Sequence, residues 1–405
     1  MRPDNAKFIS RADALALLFS RWTPTPETEQ IPVADCVGRV LAKDVTAQYN
    51  LPVVRASMMD GVAVKSEYFA NGLPDTAAWR LGAEFVRADT GDDFDDAYDA
   101  VVAIENVTLT EDGGITFAPD TKVAPGTNVK PCGAEVTAGA VVATAGTLLT
   151  ETDLAAIAMS GADSVTVLRR PRVGFLPTGS ELVPVGAPLA RGQGFDTHRP
   201  MGAAQLRRMG AAAGMHPIVR DDPAALSAAF RTLLPQCDVL LVNAGTSKGG
   251  EDYCARLLSE QGEVLFHGVA AVPGRPMSMA IVDGKPVVNL SGPAFAAFYS
   301  LDWAARGIIC RYLGQPVPQR ETLKAVLTEK FGTPPIFSMM AAFRVRRGAD
   351  GNYLATPLSV RGPKAAGTAA VLGADAVYIS TPGEAPHEAG EEIELELLRN
   401  RAALG

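Results

Sequence analysis

The sequence predicts a mixed α/β plus β fold: a central doubly wound α/β domain, flanking small β domains and a bridging domain that joins them. Three observations carry this. Between residues 172 and 312, strand-like apolar runs alternate with helical periodicity, the pattern of a mostly parallel sheet covered on both faces. Residues 49–140 and 320–399 instead hold short runs between turns, Val-rich in the first of them, as in small β domains. Residues 23–48 are Pro-rich and then extended, as expected of a segment that crosses between domains. The expected boundaries are 1–48 with 141–170 for the bridging domain, 49–140 for the first β domain, 171–318 for the α/β domain and 319–405 for the second β domain.

In chain order, Ser10 reads as the N-cap of a first helix that runs to about Trp22. The run Ala100–Ile104 and the turn Glu111-Asp-Gly-Gly114 mark a strand and a hairpin. A short helix is expected over Thr152–Ser160. Strands then follow near 172–176, 215–220, 238–243, 263–269, 278–282 and 286–290, with helices near 200–212, 223–234, 251–261 and 294–312. Ala349-Asp-Gly-Asn352 and Pro382-Gly383 are turns of the last β domain. No internal repeat or low-complexity tract is present.

With 405 residues the chain exceeds one ordinary core, and its 47% hydrophobic content is that of a globular protein. Net charge is −8 and no basic run exceeds a pair of arginines, which disfavours nucleic acid as a partner. No apolar stretch long enough for a membrane span and no leader-like start is seen. The five cysteines are scattered without a C-x-x-C pair, and the four histidines have no metal-ligand spacing. That pattern fits reduced thiols in a cytoplasmic protein without structural zinc.

The most informative stretch is Val239-Leu-Leu-Val-Asn-Ala-Gly-Thr-Ser-Lys-Gly-Gly-Glu-Asp-Tyr253. A buried strand breaks into a small-residue loop at 243–250, and Glu251, Asp252 and Tyr253 open a helical pattern. Such a turn points backbone N–H groups at an anion. Three similar loops lie at Pro177-Thr-Gly-Ser-Glu181, Pro273-Gly-Arg-Pro276 and Leu290-Ser-Gly-Pro293. In an open α/β sheet, ligands bind beyond the carboxyl ends of the strands, so the four loops would line one crevice for a phosphate- or oxyanion-bearing ligand. Each loop taken alone is also an ordinary tight turn. The polar groups beside them are mostly acids: Glu181, Asp196, Asp221, Asp222 and Asp252. An anion site so rich in carboxylates calls for a divalent cation, and Mg²⁺ suits carboxylate and phosphate oxygens. No Ser-His-Asp or Cys-His arrangement supports covalent catalysis. Asp60, in Ser57-Met-Met-Asp-Gly-Val-Ala-Val64, reads from spacing as a turn-forming Asp-Gly pair. Thr90-Gly91 and Glu105 are ambiguous, and the acids between 92 and 99 look like a solvated loop.

Together these segments resemble the molybdopterin molybdenumtransferase family, the MoeA proteins and the related gephyrin E domain. Residues 57–64 are similar to the family's S-A-M-D-G-Y-A-V. Asp89-Thr-Gly-Asp92 with Ala100-Val-Val-Ala-Ile-Glu105 is similar to M-T-G-A followed by A-V-V-x-x-E. Arg172-Val-Gly-Phe-Leu-Pro-Thr-Gly-Ser-Glu-Leu182 resembles V-x-x-x-x-T-G-D-E-L, Arg220-Asp-Asp-Pro223 the D-D segment, and residues 243–253 S-G-G-V-S-x-G-x-x-D-Y. Gly262-Glu-Val-Leu-Phe-His-Gly-Val269 is also close to the family. The likeness runs from the first helix to the last β domain.

The resemblance implies a central MogA-like α/β domain and an elongated, four-domain subunit. It implies a homodimer in which the α/β domain of one chain faces the small β domain of the other. It implies a reaction in which molybdate is inserted into adenylylated molybdopterin with release of AMP and with a divalent cation. A molybdopterin adenylyltransferase and molybdoenzyme maturation proteins become candidate partners. By position, Asp60, Glu181, Asp221 and Asp252 are implied as catalytic, with Glu181, Asp221 and Asp252 holding Mg²⁺. Thr90, Thr178, Gly179, Ser180, Gly245, Thr246, Ser247, Gly249, Arg275, Ser291 and Gly292 are implied to contact the substrates.

The departures matter as well. T-G-D-E-L is Thr178-Gly-Ser-Glu-Leu182, and D-S-N is Asp196-Thr-His198. K-P-G-K-P is Val272-Pro-Gly-Arg-Pro276, and L-P-G-N-P-V-S is Leu290-Ser-Gly-Pro-Ala-Phe-Ala296. Glu135 stands for an Asp, Ala342 for an Arg, and Ala365-Ala366 for a Ser-Gly pair. Losing a lysine from an oxyanion pocket removes about 1.5–3 kcal/mol of charge-assisted contact, whereas Arg275 could hold an anion bidentately. Two readings stand at this point: an active molybdenum insertase with a modified anion pocket, or an insertion-inactive paralogue that binds or delivers molybdenum cofactor or serves as a scaffold.

Overall fold

Ser10 caps the first helix as its sequence requires: its hydroxyl accepts the Asp13 N–H at 3.1 Å. Helix α1 (Arg11–Arg21) then buries Ala14 and Leu18. The computed structural model describes residues 8–243, 253–334, 336–349, 351–360 and 365–404. They form two compact units, Thr28–Leu168, and Met1–Glu27 with Arg169–Gly405.

In the unit Thr28–Leu168, the strand Thr28–Pro32 pairs antiparallel with Ser164–Leu168. Helix α2 (Glu151–Met159) starts at a capping box between Thr150 and Asp153. Leu41, Leu149, Ile157 and Val167 form the apolar cluster beneath it. A separate three-stranded sheet has Gly61–Val64 at its centre, antiparallel to Phe85–Ala88 and to Ala100–Ala103. Its central strand is buried throughout because both faces are covered. Val62 and Val64 meet Phe69, Trp79 and Phe85 on one side, and Ala63 meets Phe94 and Tyr98 on the other. A Cβ on Gly61 would lie 2.0 Å from the Val102 carbonyl oxygen, so sheet packing, beyond any turn, requires glycine after Asp60. The expected hairpin joins Val107–Leu109 to Ile115–Phe117.

In the other unit, six strands form the central sheet: β1 (Arg172–Pro177), β2 (Ala212–Met215), β3 (Val239–Asn243), β4 (Glu263–His267), β5 (Ser278–Val282) and β6 (Lys285–Leu290). Their order is β2-β1-β3-β6-β5-β4. The first four in that order are parallel and β5 is reversed. The reversal follows from Asp283-Gly284, whose φ values of +50° and +72° make a tight hairpin turn between β5 and β6.

Two expectations need correction. The strand expected over 215–220 is β2, and it ends at Met215. Pro217 has no N–H for a ladder, and the chain rejoins the sheet only at the Thr178–Val219 bridge. The helix expected over 200–212 is α3 (His198–Arg208), ended by Gly210 at φ +85°. The remaining helices are α4 (Pro223–Leu233), α5 (Tyr253–Gln261), α6 (Ala294–Ser300) and α7 (Arg306–Tyr312). A π-helical turn at Leu301–Ala305 links α6 to α7, and its Asp302 pairs with both Arg306 and Arg320.

The sheet is covered on both faces. On one lie Phe175, Leu206, Tyr299 and Ile308, joined by Leu18 and Trp22 of the first helix and its cap. On the other lie Leu226, Phe230, Leu257 and Leu258 against Leu240, Val242 and Val287. Beyond α7, strands β7 (Thr322–Leu327), β8 (Ser338–Arg347), β9 (Tyr353–Leu358), β10 (Ala376–Ile379) and β11 (Glu392–Leu397) run in the order β8-β9-β7-β11-β10. A β8–β10 pairing closes them into a barrel filled by Phe343, Ala355 and Leu395. Helix α8 (Thr368–Leu372) precedes β10. Ala271–Val272 extends this barrel by pairing with Ser338–Met339.

Candidate functional site

Parallel strands β1, β3 and β6 end together at one edge of the sheet, where the loops after β1 and β6 open. Because β5 is antiparallel, the loop before it opens there too. This edge gathers Thr178–Glu181, Pro273–Pro276 and Ser291–Pro293 among the described residues. Gly245, Thr246, Ser247, Gly249 and Asp252 lie outside the described residues.

The first loop is fixed by backbone bonds. The Thr178 N–H and hydroxyl both donate to the Asn243 carbonyl, at 2.9 and 3.2 Å. The Gly179 N–H donates to the Val219 carbonyl at 3.0 Å. Both groups are thus used within the protein and shape the loop. Gly179 has φ +153°, and a Cβ there would meet Leu182 at 2.8 Å and the Glu181 carboxylate at 3.0 Å. Ser180 and Asp221 bind reciprocally: the Ser180 N–H donates to Asp221 Oδ2 at 2.9 Å, and the Asp221 N–H donates to Ser180 Oγ at 3.0 Å. Glu181 and Asp221 therefore stand on adjoining loops, exposed to incoming ligand. Asp196 serves a different purpose. It is 1% exposed, accepts the His198 and Arg199 N–H groups at 3.1 Å each, and pairs with the Arg199 guanidinium.

Among the described residues no group of three or more His, Cys, Asp or Glu side chains is placed to hold a metal ion. Glu181 and Asp221 alone offer the hard oxygen donors that Mg²⁺ takes from one or two carboxylates before filling its shell with water and substrate phosphates. The donor chemistry fits that ion.

Arg275 is held over two aromatic rings, 5.6 Å from the Phe8 centroid and 5.9 Å from that of Phe337. It makes no ion pair among the described residues. Its guanidinium thus lies within cation–π range of both rings.

A buried polar group stands beside these loops, and two of its members, Ser278 and Asn289, were not among the residues that the motifs implied. Ser278, Asn289 and Ser291 are 1%, 0% and 2% exposed. Neither hydroxyl nor either amide atom of Asn289 has a hydrogen-bond partner among the described residues. His198 lies against the Gly292 backbone, yet neither ring nitrogen reaches hydrogen-bonding geometry. Burial pushes its imidazole below the ordinary value, outweighing Asp196 and the Gly292 carbonyl. The visible signal was an asparagine inside the apolar run Val287-Val288-Asn289-Leu290.

In the unit Thr28–Leu168, Asp60 is exposed and accepts the Thr90 N–H at 2.7 Å and the Thr90 hydroxyl at 2.8 Å. Those two donors hold its carboxyl below the usual range. Glu105 lies in the short helical turn Ile104–Asn106, and Ile104 donates its N–H to the Asp60 carbonyl at 2.7 Å. No helix among the described residues is long and apolar enough to cross a membrane.

Residues 9–161 match the family model described as the MoeA N-terminal region (domain I and II), and residues 174–309 match a probable molybdopterin binding domain. A molybdopterin molybdenumtransferase of Bacillus subtilis is 29% identical over 92% of this chain and 90% of its own length. Molybdopterin molybdenumtransferase 2 of Mycobacterium tuberculosis is 31% identical over 75% of this chain and 80% of its own. The crystal structure of a molybdopterin biosynthesis moeA protein from Pyrococcus horikoshii superposes with a TM-score of 0.79 at 24% identity, covering 97% of this chain and 100% of that one. These likenesses, spanning the N-terminal region, the sheet and its edge loops, establish that the chain belongs to the MoeA family of molybdopterin molybdenumtransferases.

Proposed function

We propose that the chain inserts molybdenum from molybdate into adenylylated molybdopterin and releases AMP. The single observation that carries this reading is the pairing of Ser180 with Asp221 at the carboxyl edge of the sheet. It links the two adjoining loops that carry the exposed carboxylates Glu181 and Asp221, the residue types that this reading requires at the site. Family membership makes the reaction class that of a transferase in molybdenum cofactor biosynthesis.

Each residue has a task that its chemistry suits. Glu181 and Asp221 would hold Mg²⁺, and Asp252, which lies outside the described residues, is proposed as a further ligand from its motif position alone. The ion, when bound, would neutralise charge on the phosphoanhydride. Ser291 and Gly292 offer a hydroxyl and a backbone N–H to substrate oxygens, and Arg275 supplies a positive field from its aromatic cradle. Gly245, Thr246, Ser247 and Gly249 lie outside the described residues and are proposed as substrate contacts from their place in the motif alone. The two Thr90 hydrogen bonds favour the ionised form of Asp60, which suits a carboxylate proposed to orient water. The protein is proposed to be cytoplasmic and to act as a homodimer, drawing substrate from an adenylyltransferase.

The test is AMP release from adenylylated molybdopterin by purified protein with Mg²⁺ and molybdate. A rate well above the protein-free control, with active cofactor formed, is expected. A rate equal to that control while the ligand still binds would favour the insertion-inactive reading, which the transferase names of the relatives do not favour.

A further inference from the structure

Ahead of the first helix, the chain already touches the loop that carries Arg275. The Ala270 N–H donates to the Ile9 carbonyl at 2.7 Å, and Ile9 bridges in parallel to Val269. One step further on, the Val269 N–H donates to the Arg275 carbonyl and the Gly268 N–H to the Met277 carbonyl, both at 2.8 Å. Residues 8–10 therefore lie along the stretch that holds the Arg275 loop in place. Phe8 rests on Gly268, where a Cβ would meet its ring carbons at 2.8 and 2.9 Å. The bare glycine lets the ring lie against the backbone. A second ring comes from the barrel: Phe337, just before β8, meets Phe8 edge to face with centroids 5.5 Å apart. Arg11 braces the same corner, donating to the Ser338 hydroxyl at 3.0 Å and lying 5.3 Å from the ring centroid of Tyr299 in α6.

The Arg275 guanidinium lies over both rings, 5.6 Å from the Phe8 centroid and 5.9 Å from that of Phe337. Anchoring the first helix explains little of this arrangement. Leu18 and Trp22 already fix that helix in the apolar cluster, whereas Phe8 is 37% exposed and packs on the loop instead. An arginine on an exposed loop loses rotamer freedom when it meets a ligand, and two rings that hold its plane beforehand reduce that loss. The family motif carries lysine at this position and this chain carries arginine. A lysine ammonium has no plane to stack, so a pair of rings suits the arginine in particular.

We propose that Phe8 and Phe337 are positioning residues for Arg275, so that the segment ahead of the first helix is a working part of the substrate site. The two rings hold the guanidinium in one orientation before substrate arrives, and neither ring touches the substrate itself. This inference rests on the role that the reaction proposed above gives to Arg275.

The test uses the full chain and two readouts. Arg275→Met identifies the substrate that Arg275 serves by the KM it raises, for molybdate or for adenylylated molybdopterin. Phe8→Leu should raise that same KM about two- to fivefold, as expected for the loss of one exposed cation–π contact, with kcat held. Phe8→Tyr should restore it. In the Arg275→Met background Phe8→Leu should change neither constant, whereas a purely structural role for Phe8 would act there as well. The second readout needs no turnover. The Arg275 Nε–Hε resonance in NMR, assigned by its absence from Arg275→Lys, should be shifted upfield by the rings. It should move towards the position of a free arginine in Phe8→Leu and in Phe337→Leu. A resonance unmoved in both variants, both KM values unchanged in Arg275→Met, or an equal Phe8→Leu effect with and without Arg275 overturns the proposal. Failure of the reaction reading looks different. If the resonance moves but wild type releases no AMP, the positioning stands and the reaction falls. If AMP is released while the resonance stays in place, the positioning falls and the reaction stands.

Discussion

Ser180 and Asp221 hold each other across two loops, each donating its backbone N–H to the other's side chain, at 2.9 and 3.0 Å. This clasp ties the loop that carries Glu181 to the loop that carries Asp221, and Ser180 stands where the family motif carries a carboxylate. Ser180→Ala loses one of the two bonds and should slow AMP release by at least tenfold. Its effect on stability should stay near 0.5–1.5 kcal/mol. Steady-state AMP release and urea unfolding measured on the same preparation check both halves. Asp221→Asn, which keeps an acceptor oxygen but removes the charge, should keep the loop and lose Mg²⁺ dependence.

Thr90 gives Asp60 two hydrogen bonds, and they lower its carboxyl pKa. A lowered value means that Asp60 stays charged until the pH falls through it. Thr90→Val keeps the N–H donor and drops the hydroxyl, so the titration of Asp60 should move up towards the ordinary carboxylate range. Carbon-detected NMR of the Asp60 carboxyl would show that shift, and the acid limb of AMP release should move the same way. A titration curve identical in the variant would detach Thr90 from Asp60.

Gly61 faces the Val102 carbonyl so closely that a Cβ would lie 2.0 Å from its oxygen. Gly61→Ala must push two buried strands apart, and overpacking of this kind costs about 1–3 kcal/mol. Urea unfolding followed by the fluorescence of Trp79, which packs in the same cluster as Val62, should show a lower midpoint. Reduced activity would accompany it because Asp60 is the preceding residue.

The barrel carries a latch with a pH signature. His387 joins Glu391 at 2.7 Å and Glu384 at 2.6 Å, and it stacks on Phe331 at 5.6 Å. Burial opposes its charged form, but the carboxylates of Glu391 and Glu384 prevail and raise its pKa. For Glu384, burial acts upwards, yet the Tyr378 hydroxyl, the Thr381 N–H and His387 bring it down to about 2. A raised histidine value stabilises the fold fully below the unfolded value, about 6.5, and that stability is lost as pH rises through the folded value. A lowered Glu384 value acts in the opposite sense, and its stabilisation is lost as pH falls towards 2. The contribution of His387 to melting temperature should therefore decline as pH rises above the unfolded value of about 6.5, and His387→Gln should flatten that decline. The His387 ring proton in NMR should titrate above the ordinary histidine range.

Much of the fold was legible because its signals are local and periodic. Ser10 announced the first helix, the turn at 111–114 announced a hairpin, and alternation after residue 172 announced the sheet. Two kinds of feature escaped. Pro217 broke a strand that apolar content alone had extended, and Asp283-Gly284 reversed β5, which periodicity cannot orient. At the site, Glu181 and Asp221 could be named from motifs, and the structure sets them on adjoining loops. Arg275 was expected to face an anion; the structure shows its guanidinium over Phe8 and Phe337, residues remote in sequence. The pairing of Ser278 with Asn289 depends on strand register, which a linear motif does not encode.

The most direct measurement follows AMP and molybdenum together. Purified protein is given adenylylated molybdopterin, Mg²⁺ and molybdate, AMP is quantified over time, and the molybdenum content of the isolated pterin product is determined at each point. Equal amounts of AMP and pterin-bound molybdenum, both abolished by Asp221→Asn, are the expected result. AMP at the protein-free rate, or AMP released without molybdenum entering the pterin, would contradict the insertion reaction.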